Sequence, residues 1–300
     1  MHSTSGTLEA VAPFDFQKTL EFIEGFRPLA GEQRVGDGAL TKAIMVDGRT
    51  VVFRVRDEPG KETGLRYELF SEEKLPEATA GRVAERISFS LSLDDYVKPF
   101  YDIARNDSKF YPTVRELWGL HHVKFPTLLE ISCWAILAQR VQMPVAKRMK
   151  QAIIEKFGGS LELEGQTYWA FPDYVRLKDA TPSQLLAATR NQRSAVRLGS
   201  LLANFTNLEE SFLRTAPYEK AEERLRMVNG IGEWSAQFIL YRGLGRIERL
   251  RYGMKPVERM LKAIYGPEKT LEDINRQYGA WSGYWSLYLW GSSMASRSKG

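Results

Sequence analysis

The segment RLRMVNGIGEWSAQFILYRGLG, Arg224 to Gly245, holds the residues whose spacing points most directly to chemistry. A helix-like run ends at Val228, the turn Asn229-Gly230-Ile231-Gly232 follows, and a second run begins at once. Two glycines around one apolar residue permit a tight reversal in which Ile231 plugs between the helices. Backbone N–H groups at such a turn, with the new helix N-terminus, face outward and attract a phosphate without reading any base. Other chemistries are poorly provided for. A single cysteine, Cys133, excludes an internal disulfide framework and a Cys-ligated zinc or iron–sulfur site, and suits a reducing compartment. The histidines number three, His2, His121 and His122, so a triad or a His-based metal site would need the adjacent pair. Two polar loop residues is the plainer reading of that pair, and no metal site made of side chains is expected.

Charge adds a partner class. The 300 residues carry a net +5, unevenly spread: residues 1–100 hold 13 Lys and Arg against 17 Asp and Glu, and residues 101–300 hold 29 against 20. An acidic third beside a basic two-thirds suggests two modules and a polyanionic partner for the second. With 43% hydrophobic and 26% charged residues, the composition is that of a globular protein. No apolar run approaches the ~18 residues of a membrane span. The opening MHSTSGTLEA lacks a basic stretch followed by an apolar one, so neither a secretory signal nor a membrane partner is expected.

These residues need elements to hold them. Residues 14–27 show near-helical apolar spacing, and two strand-like runs, Ala39–Met45 and Thr50–Val55, are joined by the hairpin dipeptide Asp47-Gly48. Leu65–Phe70 reads as a further strand. From about residue 94 the pattern turns helical. Leu128–Ala138 is apolar nearly all round, which predicts a buried helix. Pro144 opens a helix that reaches Phe157, before Gly158-Gly159 stops it. Further helices are predicted at Thr181-Pro182, Gln192–Phe205, Tyr218–Val228, Glu233–Arg242, Val257–Tyr265, Leu271–Tyr278 and Ala280–Trp290. The fold class is therefore α+β, mainly α.

The hairpin, the FDF stretch near residue 14, LLEISCWAILAQ, FPDYVRL before Thr181 and the closing YGAWSGYWSLYLW occur here in an order that resembles the helix–hairpin–helix DNA glycosylases. Within that superfamily the chain looks most like the bacterial inducible 3-methyladenine glycosylases. The resemblance covers most of the chain. It implies an N-terminal antiparallel sheet-and-helix domain (TBP-like, residues 1–93), then a helical region, residues 94–300, of two subdomains with the active cleft between them. It implies hydrolysis of the N-glycosidic bond of a damaged base flipped out of DNA into a pocket. By the resemblance Trp234, Phe238 and Trp290 fall at pocket positions. Trp234 and Phe238, at i and i+4, share a helix face and suit stacking on an electron-poor or cationic base. Gln139 falls at the start of the DNA-wedging loop, and Arg140 stands where an apolar wedge is usual. Asn229, Gly230, Ile231 and Gly232 match the phosphate-gripping hairpin, near which the family holds a monovalent cation with DNA bound. No other cofactor is implied. A monomer acting on double- or single-stranded DNA is expected, cytoplasmic and nucleoid-associated in a bacterium or nuclear in a eukaryote.

Two positions depart from the pattern. Trp234 stands where lyase members carry a nucleophilic lysine, so a monofunctional hydrolase is implied. Met254 falls, by ungapped count from the hairpin, where the family's aspartate stabilises the sugar cation. Losing such a stabiliser costs ~10²–10³ in rate. Three accounts stand side by side. A nearby carboxylate substitutes, with Glu258 in the first turn after Pro256 ahead of Glu248 and Glu233. Alternatively, bases that leave easily, such as alkylated purines or uracil, need no carboxylate. The third account is that catalysis is lost, leaving a silent binder of DNA damage. Lys255, beside Met254, is read as a phosphate contact before a nucleophile.

Overall fold

The computed structural model describes residues 1–25, 32–250 and 255–298; Met254 lies outside them. The chain opens with β1 (His2–Glu9), α1 (Phe16–Gly25), β2 (Gln33–Gly36), β3 (Ala39–Val46), β4 (Arg49–Asp57), β5 (Gly64–Ser71) and α2 (Glu77–Leu91). The five strands form one antiparallel sheet in the order β1-β5-β4-β3-β2. Asp47 and Gly48 join β3 to β4 with φ of 53° and 72°, the left-handed pair that a two-residue hairpin requires.

The helical part follows: α3 (Lys98–Ala104), α4 (Tyr111–Glu116), α5 (Leu128–Leu137), α6 (Met143–Phe157), a hairpin β6 (Gly159–Leu163) and β7 (Gln166–Ala170), α7 (Tyr174–Leu177), α8 (Pro182–Thr189), α9 (Gln192–Asn204), α10 (Glu210–Thr215), α11 (Tyr218–Arg226), α12 (Glu233–Leu244), α13 (Lys255–Tyr265), α14 (Leu271–Tyr278) and α15 (Ser282–Ser298). Two expectations are corrected here. After the sheet, the helical run begins at Glu77 rather than near residue 94. The stretch after Gly158-Gly159, for which no element was expected, is a hairpin: Leu161, Leu163, Tyr168 and Ala170 face Ala43, Met45 and Val52 of the sheet in a small core of their own. That cover on its second face is why β3 is buried along nearly its whole length.

The remaining interior forms two cores. One joins the sheet and α1–α4 to α13–α15, drawing residues from both sides of position 93. The other is built from α5–α12. The chain passes between them twice, at Val123–Phe125 and Leu244–Leu250. The crossings are tied together, because Phe125 N–H donates to the Arg242 carbonyl (2.9 Å) and Tyr241 Oη donates to the Gly283 carbonyl (3.1 Å).

A second link joins sheet to helices. Lys150 on α6 is fully buried; its ammonium donates to Glu130 on α5 (2.7 Å) and to Glu32 (2.5 Å), and Glu32 lies 3.8 Å from Lys42 on β3. Phe125, Trp134 and Phe171 rings surround the ammonium at 5.3–5.7 Å.

Candidate nucleic-acid interface

The turn between α11 and α12 is shaped by its glycines. Gly230 has φ +99°, and a Cβ added there would stand 2.6 Å from Cγ of Arg197 on α9. A side chain at position 230 is therefore opposed by both conformation and space. Ile231 is 3% exposed and packs in the second core with Leu225, Val228 and Ala236; its N–H donates to the Val228 carbonyl (3.0 Å). Asn229 and Gly232 remain exposed. Gly232 is the N-cap of α12 and supplies no side-chain cap, so the helix terminus opens to solvent beside the turn.

Within the first turn of α12, Trp234 is 47% exposed and lies flat on Phe238, with ring centroids 5.4 Å apart and planes 11° from parallel. Phe238 is buried, and Phe125 meets it edge-on at 6.5 Å. The three rings thus step outward from core to surface, ending in an open indole face. Trp290, half-buried on α15, packs against the first core. A pocket using all three predicted rings therefore draws on both cores. Phe125 escaped the sequence reading because it sits in an irregular segment with no periodic neighbour.

Gln139 connects the loop after α5 to the hairpin. Its amide N–H group donates to the Gly230 carbonyl (2.7 Å) and to Ser235 Oγ (2.9 Å), and its carbonyl accepts from Arg197 Nη1. Arg140 follows, exposed and with φ +55°, a left-handed conformation uncommon outside glycine. Lys255 is exposed at the start of α13, and Glu258 is half-buried in its first turn. The other carboxylates considered are engaged elsewhere. Glu248 pairs with Arg246 (2.6 Å), and Glu233 is exposed and accepts from Gln237 (3.3 Å).

His121 and His122 do lie in an irregular segment, but both are buried where the two cores meet. The His121 ring sits between two carbonyls, Nδ1 2.7 Å from Ser92 and Nε2 3.0 Å from Pro13. Burial holds the His122 imidazole well below the ordinary histidine range, and Arg242 and Lys124 add to the effect. Burial also raises the Asp95 carboxyl, although Lys124 and the Tyr284 hydroxyl pull the other way. Cys133 is buried on α5, and that burial pushes its thiol far above the range in which a thiolate forms. Among the described residues, no three His, Cys, Asp or Glu side chains converge as metal ligands, and no helix is long and apolar enough to cross a membrane.

No family model matches the chain. Over 212 residues, 66% of this chain and 68% of the relative, it is 28% identical to the DNA-3-methyladenine glycosylase of Bacillus subtilis. Among solved structures, the 3-methyladenine DNA-glycosylase of Archaeoglobus fulgidus has a TM-score of 0.77 at 22% identity, covering 95% of this chain and 96% of that one. The 8-oxoguanine glycosylase/lyase of Clostridium acetobutylicum, in complex with double-stranded DNA bearing cytosine opposite 8-oxoguanine, has a TM-score of 0.71 at 17% identity over 99% and 98% of the two chains. These two likenesses establish the fold.

Proposed function

Because the chain belongs to the helix–hairpin–helix DNA glycosylase superfamily, we propose that it is a DNA base-excision repair glycosylase acting on an alkylated purine or a deaminated base such as uracil. One observation carries this reading: an indole face, half open and backed by Phe238, stands in the first turn of a helix whose N-terminus has no side-chain cap and follows an exposed glycine turn. The turn grips a backbone phosphate, and the nucleotide beside it swings out so that its base covers Trp234. Trp234 at the family's lysine position makes the reaction a simple hydrolysis, with water as the nucleophile and no covalent sugar–enzyme intermediate. Glu258 is the carboxylate assigned to stabilise the sugar cation, since α13 begins directly after Met254 and places this side chain in its first turn.

The test is base release. The protein is incubated with duplexes bearing uracil, hypoxanthine, ethenoadenine or an N-alkylated purine, and alkali then reveals abasic sites. Strand scission after alkali, and none before it, is the expected result. Met254, at the position of the family's aspartate, favours a second reading, a protein that holds lesions without excising them. Tight lesion binding with no release from any substrate selects that reading. Failure to bind DNA at all removes both.

A further inference from the structure

Arg197 lies on α9, outside the hairpin and outside the loop that carries Gln139 and Arg140, yet it touches both. Its guanidinium donates to the Gln139 carbonyl, while the Gln139 amide N–H group donates to the Gly230 carbonyl (2.7 Å) and to Ser235 Oγ (2.9 Å). Its aliphatic stem fills the space beneath Gly230, where an added Cβ would meet Cβ, Cγ and Cδ of Arg197 at 2.6–2.9 Å. The residue is only partly buried, and no carboxylate among the described residues lies within ion-pair distance of it. An arginine carries five N–H donors in a planar fork, and the hydrogen bond to Gln139 occupies one edge of it. Arg193, one helical turn earlier on the same face, is exposed, and Arg190 is exposed at the end of α8.

We propose that Arg197 is a DNA-contacting and positioning residue that locks the Gln139–Arg140 loop to the Asn229–Gly232 hairpin and offers its remaining N–H donors to a phosphate lying between them. The proposal rests on the glycosylase reading for its ligand, DNA, but the residue itself is assigned by the contacts above. Mechanically, two loops that touch DNA separately would each have to be ordered on binding. Joined through Arg197, Gln139 and Gly230, they meet the duplex as one preformed surface, which spares that ordering cost. The fork matters as well as the charge, because a lysine ammonium cannot hold the Gln139 carbonyl and a phosphate in the same fixed plane.

The experiment measures binding of a labelled duplex carrying an abasic-site analogue across a salt series, for the wild type, Arg197→Met and Arg197→Lys, with melting curves for each. Base release under single-turnover conditions is followed on the best substrate. Arg197→Met is expected to weaken binding on the order of tenfold or more and to lower the slope of log affinity against log salt by about 1. Arg197→Lys is expected to keep the wild-type slope but to release base more slowly, and Gln139→Ala added to Arg197→Met is expected to cost less than the sum of the two changes. An unchanged slope and affinity in folded Arg197→Met overturns the proposal while leaving the glycosylase reading intact. Should Arg197→Met not fold, wild-type base release by Arg197→Lys does the same. A wild-type protein that shows no salt-dependent binding overturns both.

Discussion

Replacing Trp234 with alanine removes the surface on which the flipped base is proposed to rest, and the structure sets the size of the effect. Trp234 is 47% exposed, with one face of its indole stacked on Phe238. An aromatic side chain of this size presents roughly 150–250 Å², so the open part offers about 75–120 Å² for a base to cover. At about 25 cal/mol per Å² this is worth ~2–3 kcal/mol, within the ~1–3 kcal/mol that a single base–aromatic stack contributes. Single-turnover base release should therefore fall about 30- to 150-fold, and Trp234→Phe, which keeps a smaller π face over Phe238, should lie between. The covered part of the indole contributes to folding, so melting curves must show each variant native at the assay temperature. Folded Trp234→Ala that releases base at the wild-type rate would refute the stacking argument.

Three further outcomes are expected. Glu258→Gln should slow base release by ~10²–10³ with DNA affinity retained; an unchanged rate removes Glu258 from the chemistry. Gly230→Ala should cost about 1–3 kcal/mol through its left-handed φ and should also displace Arg197, so both melting temperature and DNA affinity drop, which thermal melts and a binding titration check together. Lys150→Met should destabilise by ~3–5 kcal/mol because it strands buried carboxylates. In the wild type burial alone would raise Glu130, but Lys150 and Lys42 outweigh it and hold the carboxyl below its ordinary range, while Glu130 and Glu32 likewise raise Lys150 against its burial. The stabilisation is thus whole between the unfolded values of about 4.3 and about 10.4; it is lost as pH falls through the folded Glu130 value or rises through the folded Lys150 value. Melting temperature against pH should show that plateau in the wild type, and the gap to Lys150→Met should narrow below it; parallel curves would contradict the assignment.

Local chemistry explains what could be read from the chain alone. The glycine turn at 229–232, the largely apolar α5 and the Thr181 capping box that opens α8 each declare themselves within a few residues. Strand β1 did not, because as an exposed edge it shows little apolar alternation and is defined by its pairing with β5. The β6–β7 hairpin carried a signal, Glu164-Gly165 between alternating Leu161, Leu163, Tyr168 and Ala170, that the surrounding helical pattern masked. The spacing of Trp234 and Phe238 was visible, but the buttress from Phe125, 113 residues before Phe238, was not. Nor was the contact of Arg197 with Gln139, whose sequence separation of 58 leaves no local trace. His121 and His122 look like solvent-facing residues by type, and only the meeting of the two cores explains their burial.

The interleaving of the first core has a consequence for biosynthesis. Apart from Phe89, every residue of the second core lies between Phe125 and Leu244, a continuous stretch that can close on itself as it emerges from the ribosome. The first core cannot: its sheet is translated at the outset and its last helices at the very end. The apolar faces of α1 and α3 that await α14 and α15 stay uncovered for most of translation, so nascent chains truncated before Leu271 should engage chaperones far more than the finished polypeptide does.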